Sequence, residues 1–73
     1  MKQKRFIPLV QIDTKMLNGN IVEAKEWRLF NISRIVSVIP SFSEDRCALI
    51  IDGYEDRVEV EIGFNALEDM LNE

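Results

Sequence analysis

A chain of 73 residues that is 47% hydrophobic and 30% charged, with a net charge of −4, has the composition of a small globular domain rather than of a disordered segment. So short a chain buries only about 60 to 65% of the surface it exposes when unfolded, which leaves its stability marginal unless something helps. With Cys47 alone and no histidine, an intrachain disulfide is impossible and a structural zinc site lacks its usual ligands, so association with itself or with a partner is the remaining aid.

The N-terminal residues Lys2, Lys4 and Arg5 form a small basic cluster, expected to be a flexible arm over 1–5. The apolar run behind them stops at Gln11 and Asp13. That is too short for a signal peptide or a membrane span, so the sequence reads as a soluble cytoplasmic protein. Phe6 to Asp13 alternates loosely and predicts a first strand, with Pro8 arguing for an edge position. Residues 14–26 are polar around the turn signal Asn18-Gly19-Asn20, and read either as a hairpin or as a mobile excursion. Strand character resumes at Trp27 to Phe30, and Asn31 to Arg34 suit one tight turn.

Ile35 to Ile39 is apolar at consecutive positions, which suits a strand covered on both faces, so it is expected in the middle of the sheet beside Cys47–Ile51. Pro40 ends it. The run from Arg46 to Asp52 is apolar throughout its centre and predicts an interior strand, whereas Val58, Val60 and Ile62 alternate with Arg57, Glu59 and Glu61, as in a strand with one wet face near an edge. Asp52-Gly53 supplies turn chemistry between them. Phe64, Leu67 and Leu71 then fall at helical spacing, and Asn65 with Glu68 has the form of a capping box. The fold class that follows is α+β, mainly β. It comprises a twisted, mostly antiparallel sheet of four to five strands (about 6–13, 27–30, 35–40, 46–52 and 57–62) with one C-terminal helix (about 64–72).

Charge is divided unevenly along this chain. Residues 1–43 hold seven basic and three acidic side chains, residues 44–73 two and ten. Glu55, Asp56, Glu59, Glu61, Glu68 and Asp69 are therefore the candidate partner-facing acidic surface, against a solvated surface that pairs with the basic half. The basic arm is too small for a coherent phosphate-binding stripe, so nucleic acid is an unfavourable partner. Without histidine, acid–base chemistry would fall to carboxylates, lysine or Tyr54, and Cys47 opens an apolar strand with nothing to activate it. Asp52, Glu55 and Asp56 lack the ligand rhythm of a calcium loop. No catalytic residues, no metal and no cofactor are expected.

The order of a strand, Leu17-Asn18-Gly19, Phe30-Asn31-Ile32-Ser33-Arg34-Ile35, Leu49-Ile50-Ile51-Asp52-Gly53, Val58-Glu59-Val60 and a C-terminal helix resembles the FlbD-type family of small bacterial flagellar proteins. The same cadence is similar to the second half of LytTR-type DNA-binding domains. It covers residues 6–72, and the stretch from Asn20 to Glu26 departs from the short FlbD-like spacing, as the acidic C-terminal half departs from a LytTR-like DNA reader. The resemblance implies a small non-enzymatic accessory or regulatory protein of a bacterium or its phages, and carries over no functional residue. Three readings follow: a self-associating protein-interaction module, an acidic mimic of nucleic acid that occupies a DNA-binding protein, and a small nucleic-acid-binding regulator.

Overall fold

The computed structural model describes residues 5–72. Lys2 and Lys4 lie outside them; Arg5, at their start, is exposed. Five strands form one antiparallel sheet: β1 (Phe6–Leu17), β2 (Asn20–Asn31), β3 (Ile35–Pro40), β4 (Cys47–Ile51) and β5 (Val58–Val60), in the spatial order β2-β1-β5-β4-β3. One helix, α1 (Phe64–Leu71), follows them.

Residues 14–26 belong to a long hairpin. Asn18 and Gly19 both take positive φ (51° and 80°), the conformation a two-residue turn needs to match the twist of its strands. The turn sets a register without a slip from Leu17↔Asn20 to Phe6↔Asn31. Strands predicted to end at Asp13 and to begin at Trp27 thus run on to the turn. At the other end Asn31 caps a single 3-10 turn, Ile32–Arg34, its Oδ1 accepting from the Ser33 amide and hydroxyl.

Three placements differ from the sequence reading. The strand Val58–Val60, expected near an edge, is the central one, paired with β1 on one side and β4 on the other. Alternation reported its wet face correctly, but a wet face says nothing about neighbours within the sheet. Conversely β3 pairs with β4 as expected but is itself an edge. Its consecutive apolar residues have another cause: the register shifts between Ile35 and Ser37, so that Val36 is an extra, exposed residue. The bulge resets the phase and puts both Ile35 and Val38 against the core.

Likewise β1 is flanked by two strands, despite Pro8. Ile32 N–H donates to the Arg5 carbonyl (2.9 Å), so by alternation it is the odd residues of β1 that bond to β2. The Pro8 nitrogen therefore points toward the β5 side. There pairing covers only Gln11↔Val60 and Ile12↔Glu59, with Glu61 N–H donating to the Val10 carbonyl (2.9 Å), and Pro8 interrupts nothing.

One sheet face carries the core. Ile7, Leu9, Phe30, Cys47, Leu49, Ile51, Val58 and Val60 pack together beneath Leu67 of the helix, with Ile62, Met70 and Leu71 at the margin. An eight-residue helix does not persist alone in water, so this docking is what holds it. Its N-cap is Gly63, without a side-chain cap; the capping box expected at Asn65 is absent because the helix has already begun there, and Glu68 and Asp69 lie beyond its first turn. Gly63 is fixed by close approach, since a Cβ there would stand 2.5 Å from the Glu44 carbonyl oxygen.

The hairpin extends well past this core. The molecule measures 50 × 25 × 19 Å, with a Cα radius of gyration of 13.1 Å, whereas a compact chain of this length has about 11 Å. Among the described residues no helix is long and apolar enough to cross a membrane.

Candidate interaction surface

The sheet face opposite the helix is set by the same alternation that builds the core. Ile7 and Leu9 point to the helix, so Phe6, Pro8, Val10 and Ile12 point away, and in β2 Ile21, Glu23, Lys25, Trp27 and Leu29 join them. Cross-strand partners on this face are Phe6↔Asn31, Pro8↔Leu29 and Val10↔Trp27. Trp27 is 71% exposed, Leu29 69% and Phe6 52%. Large side chains are this exposed singly on many proteins, but here they are contiguous, and contiguous apolar surface marks contact sites.

Next to the patch the same face turns ionic. Arg46 donates from both terminal nitrogens to Glu23 (2.6 and 2.9 Å) and stands 3.8 Å from Glu59, while Lys25 pairs with Glu61. The Arg46 guanidinium, by hydrogen bond and by charge, holds the Glu23 carboxyl below the usual carboxylate range, and Glu23 raises Arg46 further in return. This bridge spans β1 and β5 to reach β2, and Ile12 on that face is only 4% exposed.

The six acidic residues singled out in the sequence do not share one surface. Glu59 and Glu61 lie on the face away from the helix and are engaged by Arg46 and Lys25. Glu68 and Asp69 are on the exposed side of the helix, across the sheet. Glu55 and Asp56 occupy the β4–β5 loop, where Asp13, Glu55, Asp56 and Glu59 line an open groove together with Arg57. Among the described residues no three acids or thiols converge closely enough to hold a metal ion. Cys47 is fully buried and burial pushes its thiol up, away from the thiolate a nucleophile needs.

The second feature of the hairpin is its edge. Among the described residues β2 pairs with β1 alone, and along twelve residues it has neither proline nor bulge. The opposite edge, β3, is half as long, bulged at Val36 and closed by Pro40, the usual guards against strand addition. Neither the strand at Val58–Val60 nor the one starting at Phe6, both expected from the sequence at or near an edge, offers one over its paired length, because β5 and β1 are interior. The open edge was missed because strand order is non-local information; the Asn18-Gly19 turn with matched flanking strands was the one signal that pointed to it.

No family model, no curated protein and no solved structure matches this chain.

Proposed function

We propose that this chain is a non-catalytic protein-interaction module, an accessory protein of a bacterium or its phages, which self-associates through the β1–β2 hairpin. The observation that carries this is the exposed group Phe6, Trp27 and Leu29 around Pro8 and Val10, adjoining a long strand edge that has neither proline nor bulge. The accessory role is what the FlbD-type cadence implies. Distribution of the carboxylates weighs against the acidic mimic: Glu61 is paired with Lys25, Glu59 shares Arg46 with Glu23, and the remaining four are divided between the β4–β5 loop and the helix.

Light scattering at micromolar concentration tests it. The expected mass exceeds one chain, and Trp27→Glu, at an exposed site, should lower it without changing the far-ultraviolet circular dichroism. A wild-type mass of one chain overturns the reading.

A further inference from the structure

We infer that the occupant of the open β2 edge is a second copy of this chain, paired antiparallel about a two-fold axis at Ala24. The inference rests on the self-association just proposed and adds its geometry.

Backbone chemistry limits the choice first. The even residues of β2 bond to β1, so the N–H and C=O groups left free along the edge belong to Ile21, Glu23, Lys25, Trp27 and Leu29. A two-fold axis that makes two strands antiparallel stands perpendicular to the sheet, and it places each residue opposite one whose side chain leaves by the same face. Only registers centred on a residue of β2 satisfy this.

Side chains then choose among those registers. Centring on Glu23, Lys25 or Glu26 sets identical charges face to face on the axis, which is destabilising. Centring on Trp27 opposes Lys25 to Leu29 and Glu23 to Asn31. Centring on Ala24 opposes Glu23 to Lys25 of the second copy and Lys25 to its Glu23, and flanks them with Ile21 against Trp27, twice. All of these lie on the face away from the helix. The axis passes between two alanines in a non-hydrogen-bonded position, where opposed Cα atoms approach to about 4.5 Å and a small side chain fits.

The ion pairs inside each chain reinforce this register. Lys25 already holds Glu61, and Glu23 already holds Arg46, so bringing Lys25 beside Glu23 of the second copy produces a row of alternating charge: Glu61, Lys25, then Glu23 and Arg46 of the second copy, repeated in reverse. No charge on that row meets its like. The ladder itself adds about eight backbone hydrogen bonds between Ile21 and Trp27 of the two strands. Together the copies make one ten-stranded sheet with both helices on one side and the apolar patches on the other.

Cysteine cross-linking reads the register directly, since the native Cys47 is fully buried. Under mild oxidation at micromolar concentration, A24C should form a covalent dimer. V22C or E26C alone should not, being displaced by roughly 13 Å from its own counterpart, whereas an equal mixture of V22C and E26C should. All three sites are exposed, so folding is not at stake. The expected yield for A24C is roughly tenfold that of V22C alone. A dimeric mass with no cross-link at position 24, or with W27C cross-linking instead, overturns this register and leaves self-association standing; a mass of one chain overturns both.

Discussion

Arg46 and Glu23, separated by 23 positions in the chain, meet in a two-pronged ion pair that reaches across two intervening strands. It ties the projecting hairpin to the loop before β4, on the sheet face that lacks a helix. Both side chains keep contact with water, so screening limits the worth of the pair. Its pH dependence is defined by sign. The Glu23 carboxyl is depressed in the folded state, so its contribution is present above the ordinary carboxylate pKa and fades as pH falls through the lower, folded value. We expect Arg46→Met to lower the urea midpoint slightly at pH 7, and the difference from wild type to shrink below about pH 4 or in 1 M salt. A difference independent of both pH and salt would mean that Arg46 acts by packing alone.

Leu67 is the fully buried residue of the helix, and it belongs to the same core cluster as Val58 and Val60. Leu67→Ala should cost about 2 to 5 kcal/mol, a large share of what a domain this size commands. Chemical denaturation measures it, and hydrogen exchange should show amides of residues 64–71 losing protection first.

At Gly63 the strand-to-helix corner passes against the Glu44 carbonyl, and an added methyl would meet backbone rather than a side chain that can swing aside. Gly63→Ala should cost on the order of 1 to 3 kcal/mol by forcing the 41–45 loop from the corner. Equal urea midpoints for variant and wild type would show that this loop yields freely.

Cys47 is a probe of opening. Because burial raises its thiol pKa, the unfolded state gives up the proton first, and stability should fall as pH rises past about 8.5, the value for an exposed thiol. Cys47→Ala should remove that alkaline loss at the expense of a small cavity. Reaction of the wild-type thiol with an aromatic disulfide should be limited by unfolding; labelling at the rate of a free thiol would contradict the burial.

What the sequence made legible was local. Asn18-Gly19 announced its turn, Asn31 to Arg34 its tight turn, Gly53 (φ 93°) its loop, and Phe64, Leu67 and Leu71 their helix, because each depends on neighbours in the chain. The order of strands was not legible. Val58–Val60 carries the same alternation at the centre of a sheet as at its rim, and the bulge at Val36 made an edge look like an interior. The candidate interaction surface shares that fate: Trp27 and Leu29 are conspicuous only once their phase relative to Ile7 and Phe30 is known.

The seam between β1 and β5 joins residues almost fifty positions apart, Gln11 with Val60 and Ile12 with Glu59. A chain emerging from the ribosome completes its hairpin long before the strand that anchors it exists, and through that interval both rims of the ribbon are bare. Nascent copies on neighbouring ribosomes would then present to each other the edge proposed above for self-association, and pairing during synthesis would compete with closure of the fold.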